Sequence, residues 1–228
     1  MGTVERRERE RQELRTKIVD VAREMFAAEG YEAVTMRKIA ERIEYSPTAI
    51  YAHFKDKNAL IRELCETDFL AFAQRFVAFL QVDDPIERLR RAGVAYVDFA
   101  VDNPQHYRLM FLTPRPSIEG EDTSGANDPG RNAYVFLRST VADAMDRGLF
   151  RAELTDVDVV AQAIWAALHG VVALHITVCR ANDQWMNWAP LEERRALMSD
   201  VVLRGLLRDP EKAEAPSPGA LRLSHSRR

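Results

Sequence analysis

From Leu14 to Leu207, apolar side chains return at intervals of three and four residues between short polar or Pro/Gly-bearing breaks. That period matches the 3.6-residue turn of an α-helix, and no strand-like alternation of useful length accompanies it. With ten Gly and ten Pro in 228 residues, turn formers are too sparse for a β-rich chain. The pattern predicts an all-α fold, and its length allows a real core.

The breaks divide the pattern. Leu14, Ile18, Val21, Ala22, Met25 and Phe26 share one face of a first helix, with Gly30 as its stop. Thr35 is placed to cap a second helix carrying Ile39, Ala40 and Ile43. Ser46 followed by Pro47 opens a third, expected to reach about Phe54, and Asp56 opens a fourth, expected from Lys57 to about Leu80. Helical segments follow at about 85–102, 104–112, 129–148, 156–180 and 190–208. The polar stretch Thr113–Gly130 is long for a simple connection, and the Pro/Ser-rich tail after Asp209 has the composition of a disordered segment. The domain division expected is a charged arm at 1–13, a three-helix unit at 14–60, a larger helical unit at 61–209 and a disordered tail at 210–228.

The third helix is short and odd. At about 100° per residue, Ile50 and Phe54 fall on one side and face the first two helices, while Thr48, Ala49 and Ala52 lie opposite. Tyr51 and His53 occupy the flanks. A helix with small outward residues can enter the major groove of DNA, where hydroxyl and methyl groups meet base edges and flanking donors meet phosphates. Lys55 and Lys57 would extend the phosphate clamp, and the Thr35 hydroxyl with the first amides of the second helix offers an anion site. By geometry alone, a plain helical corner is an equal reading.

The residues themselves add more. "TMRKIAERIEYSPTAIYAHFKDKNALI" (Thr35–Ile61) resembles the DNA-binding signature of the tetracycline-repressor (TetR) family: Thr35, Ile39-Ala40, Ser46, Tyr51, Phe54 and Lys57 stand where that pattern has them. The upstream "AREMFAAEGYEAVTM" (Ala22–Met36) also looks like the family's first helix and loop, and the likeness spans about residues 14–65. The resemblance implies phosphate contacts by Thr35, Tyr51, His53 and Lys57. It places Thr48 and Ala49 at base edges with Pro47 packed nearby, Ser46 as the cap, and Arg37 on either. Glu44 departs from the pattern, since many members carry Gly there. A left-handed backbone costs a non-Gly residue about 1 kcal/mol, so this turn is expected to take another shape. The arm Val4–Arg15, with near-alternating Arg and Glu, reads as a solvated helical extension or as a minor-groove arm.

Two later helices are apolar on more than one side, which requires burial on more than one side. Ile164, Leu168 and Val172 on one, with Val202 and Leu206 on the other, are candidates for a homodimer interface; burial inside one protomer is the alternative. Tyr96, Phe99, Tyr107, Met110, Phe111, Phe136, Met145, Trp165 and His169 are candidates for a ligand cavity. Aromatic stripes are more often plain core, but the resemblance implies an effector site. With no cluster of Arg or Lys at the helical core positions, the expected effector is a small apolar, neutral or weakly polar molecule. His169 beside Gly170 is either a polar group offered to that cavity or a satisfied core histidine.

Other classes find little support. There is no glycine-rich phosphate loop, nucleophile motif or metal-ligand spacing, so no enzyme activity, cofactor or metal is expected. Val159–Val178 approaches membrane-span length but contains Gln162, His169 and His175. Cys65 and Cys179 read as reduced thiols of a cytoplasmic protein. The expected partner is a double-stranded DNA operator, bound by a homodimer. A DNA-binding adaptor and a helical binding protein or enzyme without DNA binding are the rivals.

Overall fold

A computed structural model describes residues 3–114, 127–179 and 186–210. The helices are α1 (Thr3–Glu29), α2 (Met36–Ile43), α3 (Pro47–Tyr51), α4 (Lys57–Gln74), α5 (Pro85–Asp102), α6 (Pro104–Tyr107), α7 (Ala133–Asp146), α8 (Val157–Thr177) and α9 (Leu191–Leu206). Among the described residues there is no strand, and one isolated antiparallel bridge pairs Phe150 with Leu207. The fold is all-α.

Cap chemistry sets most boundaries. Thr35, Ser46 and Asp56 each accept from the amide three residues on, while Asp84, Asn132 and Asp156 accept from first-turn amides of α5, α7 and α8. The arm continues α1 as helix back to Thr3, as the helical-extension reading expects. Four lengths differ from the sequence reading, one being α7, which starts at Ala133 and not near 129. α3 ends at Tyr51, although the Phe54 amide still donates a hydrogen bond to the Ile50 carbonyl (3.0 Å) and Phe54 stays buried. α4 ends at Gln74 and tightens into a 3₁₀ turn, Val77–Gln81; three residues per turn keep Phe76 and Phe79 on one side. After α6, Arg108–Leu112 form a π turn that the segment 104–112 did not announce.

Glu44 corrects a further expectation. Its φ of 62° and ψ of 40° are left-handed, and it is the one non-glycine at positive φ among the described residues. The Tyr45 amide, bonded to the Ala40 carbonyl at 2.9 Å, closes the α2 terminus in the way glycine usually allows. Glu44→Gly is therefore expected to stabilise the protein by about 1 kcal/mol, and Glu44→Ala not to. Thermal unfolding of both variants checks this, with a rise of about 2–4 °C for Gly.

Buried residues form one core in the N-terminal unit, where Ile18, Ala22 and Phe26 of α1 meet Ile39, Ile43, Ile50, Leu60, Ile61 and Leu64. Leu109 of the π turn completes it. A second core joins Phe72 and Phe76 to Tyr96, Phe99, Tyr107, Met110, Phe136, Val172 and Ile176. A third gathers Ile86, Leu89, Val141, Phe150, Val160 and Leu203. Cys65 is buried in the first core, and no disulfide joins it to Cys179. α8 is long and apolar enough to span a membrane, but here it packs on α5, α7 and α9.

The first two cores are joined by a buried ionic clasp. Arg23 of α1 donates Nε and Nη2 to the two carboxylate oxygens of Asp68 on α4, at 3.2 and 3.1 Å. His106 Nδ1 of α6 lies 2.9 Å from the same carboxylate, and Asp68 is 1% exposed. Three helices thus meet on one carboxylate.

Candidate nucleic-acid interface and cavity

α3 stands on Ile50 and Phe54, 0% and 3% exposed, and presents Thr48, Ala52 and Tyr51 to solvent with Ala49 half-buried beside them. Ser46 Oγ accepts from the Ala49 amide at 3.3 Å, which fixes the entry of the helix behind Pro47. Thr35 Oγ accepts from the Lys38 amide at 3.2 Å, leaving its own proton for an outside acceptor. Arg37 is exposed and paired on the surface with Glu41, and Lys55 is exposed.

The structure places two sequence candidates differently. Lys57 Nζ donates to the carbonyls of Tyr31 and Val34, at 2.9 and 3.1 Å, and stands 3.9 Å over the Tyr31 ring. Its ammonium group thus spends two of its three N–H bonds holding the loop before α2, a structural role that the sequence reading did not include. His53 is half-buried, and its pKa is lowered by burial and then by the charges of Arg11 and Arg15. The ring is therefore a neutral donor near neutral pH. Arg15 also donates to the His53 carbonyl and lies 4.4 Å over the Phe54 ring. The charged arm thus reaches the back of α3, a proximity that its Arg/Glu alternation did not reveal.

A cavity of about 300 Å³ lies between α4, α5, the π turn, α7 and α8. Tyr96, Phe111, Phe136 and Trp165 line it as expected from the sequence. Phe69, Phe72, Phe76, Leu89, Ala92, Gly93, Arg131, Asn132, Ala133, Tyr134 and Leu137 line it as well. The Phe-rich body of α4 was visible in the sequence, but not which side of each ring would meet empty space. Phe99, Tyr107, Met110 and His169 sit behind the wall in the second core, and Met145 packs against the third. These five are corrected from lining to support.

Behind the wall runs a chain of polar contacts. Trp165 Nε1 donates to Tyr96 Oη at 3.1 Å, Tyr96 Oη lies 2.7 Å from Tyr107 Oη, and Tyr107 Oη lies 2.6 Å from His169 Nδ1. The set is consistent if His169 is neutral with Nδ1 accepting. Burial favours that state by lowering the His169 pKa, and it pushes Tyr96 up to about 12 and Tyr107 higher still. His169 is a satisfied core histidine.

The interface candidates also move. Ile164 and Leu168 line the cavity, and Val172 is 1% exposed in the second core, so all three face their own protomer. Val202 and Leu206 are half-buried against the third core. The apolar residues left outside on α8 and α9 are Val159, Leu174, Leu197 and Val201. Gly170, with open space where a Cβ would stand, lies between the first two on α8.

Residues 18–64 match the family model "Bacterial regulatory proteins, tetR family", and residues 89–178 match "Tetracyclin repressor-like, C-terminal domain". The HTH-type transcriptional activator FasR of Mycolicibacterium smegmatis is 34% identical over 110 residues, 44% of this chain and 47% of FasR. The match thus spans about half the length of that relative. The HTH-type transcriptional repressor KstR2 of the same species is 30% identical over 158 residues, 64% of this chain and 71% of KstR2. The crystal structure of PfmR, a TetR family transcriptional regulator from Thermus thermophilus, superposes with a TM-score of 0.64 at 26% identity, over 84% of this chain and 96% of PfmR. With an exposed small-faced α3 on a three-helix base, both family models in order and a relative covered over most of its length, the chain belongs to the tetR family of bacterial regulatory proteins.

Proposed function

We propose that the protein is a cytoplasmic transcriptional regulator that binds a palindromic DNA operator as a homodimer, represses, and is released by a small apolar molecule. The observation that carries the DNA reading is α3 itself: a helix anchored by Ile50 and Phe54 whose outward side is Thr48, Ala49 and Ala52. Residues this small let the backbone approach base edges closely. Repression follows KstR2, named a repressor, over FasR, named an activator. The dimer reading rests on the apolar residues that α8 and α9 leave exposed.

Release needs a ligand that binds one arrangement of the two reading heads better than the other; a coupling of about 1–3 kcal/mol changes operator affinity roughly 5–150-fold. The π turn supports such coupling, since Phe111 lines the cavity while Leu109 is buried in the N-terminal core. A filled C-terminal core would have favoured a protein-binding adaptor, and the cavity removes that ground.

The test of function is selection of bound duplexes from a random library. A palindrome with half-sites about 34–36 Å apart, or a multiple of that, is expected; recovery of no enriched sequence would refute DNA reading. The two lysines after α3 should then separate. Lys55→Ala is expected to lower the salt slope of operator binding by about 0.9 for each phosphate released, with unchanged stability. Lys57→Ala is expected to lower thermal stability, because the Tyr31 and Val34 carbonyls lose their donor. Equal salt slopes for Lys55→Ala and wild type would remove the Lys55 contact.

A further inference from the structure

The cavity wall is not uniformly apolar, and its polar groups divide sharply. Trp165 Nε1 and Tyr96 Oη are bonded to each other. Tyr134 Oη donates to Asp158 at 2.8 Å, and Asn132 Oδ1 accepts from the first amides of α7. Arg131 differs. It is a solvent-exposed residue at the rim of the same space, one position before the α7 cap, and its guanidinium makes no ion pair or hydrogen bond among the described residues. The nearest carboxylate in sequence, Asp128, is turned to the Gly130 amide at 2.8 Å. Among the described residues, an unpaired cation therefore stands at the edge of a space enclosed by aromatic and aliphatic side chains.

A neutral apolar ligand would fill that space and leave the guanidinium unused. A ligand with one anionic end would fill it and pair with a planar fork that suits a carboxylate. The first residues of α7, Ala133 and Tyr134, also line the space, and a helix N-terminus favours negative charge. At about 30 Å³ per atom, the share of a water in the liquid, the cavity holds on the order of ten non-hydrogen atoms. We infer that the effector is a single-headed amphiphile, a medium-length aliphatic carboxylate whose chain occupies the cavity and whose head pairs with Arg131. This rests on the effector-cavity reading above and replaces its wholly apolar ligand with one that carries a charged end.

Calorimetric titration with decanoate, methyl decanoate and 1-decanol, below their aggregation limits, tests both separately. Three proteins are compared: wild type, Arg131→Gln and the cavity-filling Leu137→Trp. Wild type is expected to bind decanoate roughly tenfold or more tighter than the two neutral probes. Arg131→Gln should lose that preference while keeping the affinity for 1-decanol, and Leu137→Trp should weaken all three. Equal binding of the three probes by wild type, or a preference that persists in Arg131→Gln, overturns the head assignment and leaves the cavity reading standing. Failure of wild type to bind any of them overturns the effector reading, and this inference with it.

Discussion

Asp68→Ala is expected to lose about 3–5 kcal/mol of folding stability, because it strands the Arg23 guanidinium in a site where its side chain is 10% exposed. Asp20, the remaining partner at 3.0 Å, is itself largely solvated and cannot replace a bidentate buried carboxylate. For a chain of this size the loss corresponds to a fall in Tm of about 10 °C. The control is Arg23→Met with Asp68→Leu, which removes both charges and keeps the volume; such exchanges are often close to neutral. Chemical denaturation of the single and double variants separates the cost of an orphaned charge from the worth of the pair. A single variant within about 1 kcal/mol of wild type would contradict the buried-clasp description. The double variant also has a second use. If it folds normally, operator release in it reports whether the clasp holds α1 to α4 and α6 during the response.

Leu197→Glu combined with Val201→Glu is expected to produce a monomer whose operator affinity is lower by about 10²–10⁴-fold. Each protomer carries one α3, so the second half-site gains only from the high local concentration that dimerisation supplies. Both side chains are exposed, at 65% and 57%, so their replacement should leave the protomer's cores intact. Sedimentation at micromolar concentration and helical content by circular dichroism give the two required readings. Monomers that fold but bind the operator as tightly as wild type would refute the dimer requirement. A variant pair that remains dimeric would shift the interface away from this face of α9.

Where the sequence was readable, the reason is periodicity joined to local chemistry. Thr35, Ser46 with Pro47, and Asp56 name helix starts because their side chains satisfy amides within their own turn, so no tertiary knowledge is needed. Ile50 and Phe54 are likewise forced inward by their spacing. The misplacements share another cause. Ile164, Leu168 and Val172 are apolar on an all-round apolar helix, and periodicity cannot tell a neighbour in the same chain from a second copy. Met145 and Phe99 were grouped with Trp165 by composition, whereas the crossing of α5, α7 and α8 decides which of them meets empty space. Arg131 escaped because the segment from 129 reads as helix, while Asn132 caps α7 and leaves Arg131 outside it at the rim. Glu44 shows the reverse error. Its residue type argued against a left-handed turn, but closure of α2 onto α3 outweighs a local cost of about 1 kcal/mol.

The π turn at Arg108–Leu112 also bears on which changes of chain length the protein can survive. A π turn is an α-helix with one residue to spare, so deleting a residue there would restore regular helix and advance every later side chain by about 100°. Leu109 would keep its place, as would Arg108 with its anchor on the Ile176 carbonyl, 2.7 Å away, but Phe111 would be carried off the cavity wall. Insertions and deletions in this lineage should therefore be absent from 104–112 and accumulate in the connection that follows it. The spacing between neighbouring side chains, more than their identity, is what selection would hold constant there.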